Sequence, residues 1–145
     1  FGIAGIRAGY AIMNPERVTE LVDHGYLWNT SGIAEYFFGL FDRPEFLRGY
    51  RQELTTYKTY IDKFTQTTTA FDFVQPYDTS ANFQLMQMPT GVSAEVVAAL
   101  MLVRHGIYVR SCGDKIGLNG EFLRVAIRTE SENAKVLSAL EEILS

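Results

Sequence analysis

The chain is predicted to be an α/β protein whose larger part is a two-layer sandwich, with helices on one face of a small sheet. Three observations predict this. From about Ala70 the elements run strand, strand, helix, strand, strand, helix. Ahead of them Phe46, Leu47, Tyr50, Leu54, Tyr57, Ile61 and Phe64 recur at three-to-four spacing, the mark of one long helix with a buried stripe. The chain opens on Phe1-Gly2-Ile3-Ala4-Gly5-Ile6-Arg7-Ala8-Gly9-Tyr10, glycine-punctuated apolar residues around one arginine, which reads as the interior of a domain.

Composition bounds the possibilities. With 145 residues, 47% of them hydrophobic, and with ten Phe and eight Tyr, the chain has enough apolar surface for a core. A net charge of -4 argues against nucleic acid, whose binding needs a basic stripe to displace counterions. The longest apolar stretches, such as residues 96–103, fall far short of the roughly 20 residues a membrane helix needs. Cys112 stands alone, which excludes an internal disulfide or a multi-cysteine zinc site and fits a reducing compartment.

Taken in order, residues 1–13 are expected to form a loop feeding a buried strand over 7–13. Asn14-Pro15 is an N-cap followed by proline at the first helical position, so a helix is predicted over 15–23. It should close at His24-Gly25, where glycine takes the left-handed cap. Residues 26–31, with Trp28 and Asn29, read as a loop. Helices follow over 32–41 and, after the Asp42-Arg43-Pro44 break, over 44–64. From Thr65 β-branched and turn residues take over, and strands are predicted over 71–75 and 82–88, separated by Pro76-Tyr77-Asp78. Ser93 opens a helix that ends at His105-Gly106. A strand over 107–110, a loop over 111–120 with three glycines and a strand over 122–128 come next. Thr129-Glu130-Ser131-Glu132 is a capping box that starts the last helix.

Three arginines carry the candidate chemistry. Arg7, among glycines, offers a fixed guanidinium whose small neighbours let a phosphate come close, although a surface arginine in a glycine loop fits the same letters. Arg124 lies within a run otherwise suited to burial; alternation puts Phe122, Arg124 and Ala126 on one face and Leu123, Val125 and Ile127 on the other. A buried guanidinium needs a carboxylate or phosphate, and chemistry alone favours an internal ion pair with Asp or Glu. Arg110 ends a strand before a glycine-rich loop that either closes over a ligand or simply joins two strands. His24 and His105 each precede a glycine at a helix end, where a cation suits the dipole. Neither has a nucleophile or a metal-spaced partner. Met86 and Met88 read as strand packing, and Cys112 as a small buried hydrophobe.

In register along the chain, these motifs resemble the class I/II aminotransferases, pyridoxal-phosphate enzymes of fold type I (the aspartate-aminotransferase-like fold). The opening residues are similar to Phe-Gly-Leu-Ala-Gly-Leu-Arg-x-Gly-Tyr, which in that family follows the cofactor-binding lysine after one residue. The resemblance implies that Arg7 binds the cofactor phosphate and that the Schiff-base lysine sits two places before Phe1, outside this chain. Lys58, Lys63, Lys115 and Lys135, the lysines present, lie in no such pattern. Residues 120–133 are similar to the family's Leu-Arg-(Ile/Val)-(Ala/Thr)-(Val/Ile) followed by a charged turn and Glu-Asn. The arginine there clamps the substrate carboxylate, and Arg124 is the match. Gly106-Ile107-Tyr108-Val109-Arg110-Ser111-Cys112 is similar to an element of histidinol-phosphate aminotransferases and threonine-phosphate decarboxylases whose arginine helps hold the substrate's phosphate end. Arg110 is the match, with Ser111 where Asp is frequent. Ala81-Asn82-Phe83 matches a strand start, and the stretch from Trp28-Asn29 to Tyr36-Phe37 is similar to aminotransferase domains fused to nucleotidyltransferases.

By that resemblance, residues 1–31 finish a large cofactor domain, and residues 32–145 form linking helices and the C-terminal small domain, an α+β two-layer sandwich. The implied activity of the parent protein is pyridoxal 5'-phosphate-dependent transfer of an amino group between an amino acid, possibly phosphorylated like histidinol phosphate, and a 2-oxo acid or carbonyl. A missing N-terminal large domain, a homodimer and a cytoplasmic setting go with it, and neither nucleic acid nor membrane is expected as a partner. A decarboxylase of the threonine-phosphate type shares the arginines and stays open, as does a non-catalytic binding module lacking the lysine. Residues 1–145 alone are expected to show no aminotransferase activity; turnover above background by this species would overturn that expectation.

Overall fold

The computed structural model describes residues 4–25 and 30–145; the opening Phe1-Gly2-Ile3 and the Trp28-Asn29 pair lie outside the described residues. The chain divides into two compact units, Phe1–Glu53 and Leu54–Ser145.

In the first unit a 3-10 turn, Ala4–Ile6, precedes helices α1 (Pro15–His24) and α2 (Gly32–Gly39), a 3-10 extension Leu40–Asp42, and the start of α3 (Pro44–Thr69). The local signals act as expected at the helix starts. Asn14 Oδ1 accepts from the Glu16 amide at 2.9 Å, and Ser31 Oγ from the Ala34 amide at 3.2 Å. Phe41 meets Phe37 and Phe46 edge-on at 5.3 and 5.6 Å, which joins α2 to the first turn of α3. Two expectations are corrected. No strand forms over 7–13: a strand exists only by pairing into a sheet, and the sheet of the described residues is built from 75–76, 83–87, 110–111 and 122–126. Gly25 is extended (φ -83°, ψ 173°) rather than left-handed. Its amide donates to Val22 O at 3.3 Å, and His24 Nδ1 lies 2.9 Å from Glu20 O, so the side chain serves the helix end.

The second unit holds the rest of α3, then β1 (Gln75–Pro76), β2 (Phe83–Gln87), α4 (Ala94–His105), β3 (Arg110–Ser111), β4 (Phe122–Ala126) and α5 (Glu130–Leu144). The strands form one antiparallel sheet in the order β1-β2-β4-β3. Its inner face contributes Met86, Leu123 and Val125, which pack with Phe64 of α3, Val97 and Met101 of α4, and Leu137 and Leu140 of α5. This is the predicted sandwich with helices on one face. The outer strands are shorter than predicted: 71–75 reduces to Gln75–Pro76, and 107–110 to Arg110–Ser111. Pro76 has no amide to donate, which suits it only to a short edge. Helix α3 instead runs past residue 64. Thr67 and Thr69 turn their hydroxyls back onto the carbonyls of Lys63 and Thr65, both at 2.8 Å, so the β-branched run stays helical. Of the predicted stripe on α3, Phe64 is buried while Leu54 is exposed.

Polar contacts lock the elements together. Thr68 Oγ1 donates to Gln84 Oε1 at 2.8 Å, both residues fully buried, and Gln84 Nε2 reaches Tyr77 O at 3.3 Å. The Tyr57 hydroxyl donates to Ile127 O at 2.5 Å; burial pushes its pKa up, opposed by the nearby Arg128 charge. Glu121 Oε2 caps α4 through the Ala94 amide at 2.7 Å. Helix α4 ends at His105-Gly106, as predicted, and Gly106 closes it in the left-handed conformation (φ 65°). The capping box of α5 is present, with Glu132 Oε2 accepting from Thr129 Oγ1 at 2.6 Å and from its amide at 3.3 Å. That hydroxyl bond, with Arg128 second, holds the Glu132 carboxyl below its ordinary range. No described helix is long and apolar enough to cross a membrane.

Replacing Thr68 by Val removes the donor and leaves Gln84 Oε1 buried without a partner. The expected cost is about 1–3 kcal/mol, read as a lowered midpoint of urea unfolding with an unchanged slope. An unchanged midpoint would mean that the pair contributes nothing net.

Candidate functional site: the outer face of the sheet

Helices cover one face of the sheet, and the other holds Arg110 and Arg124, two of the candidate site residues. Along β2, Gln84 and Met86 are fully buried while Phe83, Leu85 and Gln87 are half-buried, so the latter three share the outer face. Along β4, Leu123 and Val125 point inward, and Phe122, Arg124 and Ala126 share the outer face, the alternation that the sequence predicts. Phe122 is buried even so, with the Tyr77 ring 6.0 Å away.

Register then does what alternation along one strand cannot. Arg124 of β4 stands opposite Leu85 on one side and Arg110 of β3 on the other. Directly opposed residues in an antiparallel pair have Cα atoms about 5 Å apart and present their side chains to the same face. The two guanidinium-bearing residues predicted as ligand-binding are thus cross-strand neighbours. Like charges so placed repel, and Asp114, in ion-pair contact with Arg110, offsets part of that repulsion.

The two arginines are held in different ways. Arg110 donates from Nη2 to Asp114 Oδ2 at 3.2 Å, and Lys115 Nζ approaches the same oxygen at 2.6 Å. The Lys115 hydrogen bond first, then the charges of Lys115 and Arg110, hold the Asp114 carboxyl below its ordinary value. Arg124 is exposed, and the expected internal ion pair is not formed: no carboxylate lies within ion-pair distance of it among the described residues. Alternation correctly grouped Arg124 with Phe122 and Ala126 but could not say which face the helices cover. Arg124 Cζ instead lies over the Phe83 ring, 5.1 Å from its centroid.

The loop after β3 returns through Gly120, whose φ of 135° is open to glycine alone. A Cβ there would meet Phe122 at 3.3 Å and the Gln87 amide nitrogen at 3.4 Å. Gln87 is itself held by the Tyr77 hydroxyl, which donates to Gln87 Oε1 at 2.8 Å. Asp114 and Phe83 are the site residues that motif reading passed over. An acid four residues after Arg110 was the available signal for Asp114; the stacking of Phe83 becomes visible only once β2 and β4 are in register.

Arg7 belongs to the first unit. It follows the 3-10 turn directly, is exposed, and has a left-handed backbone (φ 53°), uncommon for a residue with a side chain. A Cβ added at Gly5 or Gly9 would meet nothing within 4 Å. An exposed guanidinium on a sharp turn with open glycines around it fits a phosphate anchor, so the donor chemistry of this chain is compatible with pyridoxal phosphate. His105 Nε2 lies 3.7 Å from Glu142 Oε1 across α4 and α5, a helix-end contact, and Cys112 and Met86 are buried in the unit's interior, as expected of both. Among the described residues no group of three or more His, Cys, Asp or Glu could hold a metal.

Comparison with known proteins adds four findings. The model of the family described as aminotransferase class I and II matches residues 1–140. L-serine phosphate decarboxylase of Sulfurospirillum multivorans is 41% identical over 144 residues, 99% of this chain and 37% of that protein. Among solved structures, a decarboxylase from Sulfurospirillum multivorans superposes with a TM-score of 0.91 at 40% identity, covering 99% of this chain and 41% of that one. The histidinol-phosphate aminotransferase of Clostridium acetobutylicum superposes with a TM-score of 0.82 at 27% identity, covering 99% and 42%. The chain therefore spans a little over a third of the curated relative's length.

The Asp114 carboxyl is expected to titrate below its ordinary value of 3.8 in a carbon-13 NMR titration. Since its folded pKa is depressed, the contact's contribution is present above the ordinary value and is lost as pH falls through the folded one. Lys115→Ala should raise this pKa more than Arg110→Ala does, because the lysine hydrogen bond is the larger cause; the reverse order would reassign the pair.

Proposed function

This chain belongs to the class I and II aminotransferase family, and from that premise we propose that the protein containing it is a pyridoxal phosphate-dependent decarboxylase of a small phosphorylated amino acid, of the L-serine phosphate kind. The carrying observation is the 41% identity to L-serine phosphate decarboxylase across 99% of the chain. The site supports the same reading. Two arginines directly opposed across β3 and β4 suit a short substrate with an anionic group at each end. Amino-group transfer, the activity expected from the motifs, is the second reading, favoured by the likeness to histidinol-phosphate aminotransferase.

In this proposal Arg7 holds the cofactor phosphate, Arg124 orients the substrate carboxylate, and Arg110 takes the substrate phosphate. Bound pyridoxal phosphate supplies an electron sink for the pair left at Cα. In the net reaction the bond from Cα to the carboxylate breaks, CO2 departs, and Cα gains a proton, so L-serine phosphate becomes aminoethyl phosphate. The part played by this chain is orientation: a charge-assisted hydrogen bond contributes about 1.5–3 kcal/mol, enough to align a bond but not to break one. Residues 1–31 complete the large cofactor domain, and residues 32–145 supply the linking helices and small domain. The large domain brings the lysine, a second subunit completes a homodimer, and the setting is cytoplasmic.

The deciding experiment incubates the full-length protein with L-serine phosphate, with and without a 2-oxo acid. CO2 and aminoethyl phosphate are expected in equal amounts, independent of the 2-oxo acid. Amino transfer to the 2-oxo acid without CO2 would replace this reading with the transaminase. Arg124→Ala should raise KM about 10- to 100-fold, the loss of one charge-assisted contact.

A further inference from the structure

An arginine that receives a substrate carboxylate has a design problem of its own. It must be held in one orientation, yet a protein carboxylate that held it would occupy the donors the substrate needs and cancel the charge that attracts it. Arg110 shows that compromise, since it donates to Asp114, which Lys115 also approaches. Arg124 does not: no carboxylate of the described residues is within ion-pair distance of it, and its guanidinium carbon lies over the face of Phe83, 5.1 Å from the ring centroid.

We propose that Phe83 is a positioning residue for Arg124, its ring face orienting the guanidinium without neutralising it. The proposal rests on the reading of Arg124 as the carboxylate-binding arginine. The negative face of the ring attracts the cation, while the N–H donors lie around the guanidinium's edge and stay available for a carboxylate.

The geometry comes from the sheet. Phe83 pairs with Ala126 and Leu85 with Arg124, so Phe83 and Arg124 are diagonal neighbours on the outer face of two adjacent strands, a separation that long and aromatic side chains bridge. Their backbones are fixed by the β2–β4 ladder, and Phe83 O also accepts from Thr79 Oγ1 at 2.6 Å. The ring is half-buried, with one face of it turned to Arg124. The Ala81-Asn82-Phe83 strand start thereby gains a reason for its aromatic residue beyond packing.

The test is a double-mutant cycle in the full-length enzyme, read as KM and kcat for L-serine phosphate or whichever amino acid it turns over. Phe83→Leu keeps apolar volume and removes the ring, and should raise KM about 2- to 30-fold with a smaller change in kcat. Phe83→Tyr keeps the ring face and should restore KM. In an Arg124→Ala background, Phe83→Leu should have no further effect, because its action runs through the guanidinium. An equal penalty from Phe83→Leu with and without Arg124, or a Tyr variant as impaired as Leu, would overturn the proposal and leave Phe83 as packing. If Arg124→Ala itself left KM unchanged, the carboxylate clamp would fall, and the role of Phe83 with it. Failure of the clamp and failure of the positioning role are therefore distinguishable.

Discussion

A slip of one residue between β2 and β4 would turn Leu123, Val125 and Ile127 to the outside and drive Arg124 into the core. That register is the constraint on which the rest of the second unit depends. It is held from the inner face by apolar burial: Met86, Leu123 and Val125 are essentially inaccessible to water, and each fully buried side chain of this size contributes about 1.5–3 kcal/mol. An unpaired guanidinium in their place would cost several kcal/mol more. The hydrophobic core thus selects the register, and the register sets the outward row of Leu85, Arg124 and Arg110.

Polar groups inside the unit work to the same end. The buried Thr68–Gln84 pair ties the end of α3 to β2, and it can do so in only one register, since Gln84 must face inward. Asn133 Oδ1 accepts from the Arg128 amide at 2.8 Å, and its Nδ2 donates to Arg128 O at 3.0 Å, so a side chain of α5 stands in for a missing strand partner just beyond β4. Such contacts add modest net stability but penalise alternatives heavily, because each slipped arrangement leaves a buried donor or acceptor without a partner.

On the outer face the electrostatic logic changes. Arg110 is screened by Asp114, which Lys115 also contacts; Arg124, its neighbour across the ladder, keeps its charge uncancelled above an aromatic face. The outer face of β4 and β3 thereby presents two cations of different availability.

Much of the fold was legible in local sequence because the signals were local. Ser93 and Thr129 with Glu132 mark helix starts, and Gly106 marks a helix end, since caps are set by residues within one turn of each other. The motif positions Arg7, Arg110 and Arg124, and the grouping of Arg124 with Phe122 and Ala126, also followed from the letters alone. What depended on partners did not. The strand expected over 7–13 does not form, the outer strands shortened to two residues each, and Gly25 stayed extended. Which face of β4 the helices cover, and hence that Arg124 stands in the open beside Arg110 and over Phe83, is a property of long-range packing. Sequence determined which side chains share a face, because the strand period is two; only the tertiary structure decided which face is buried, because that follows from where the apolar stripes of α3, α4 and α5 come to rest.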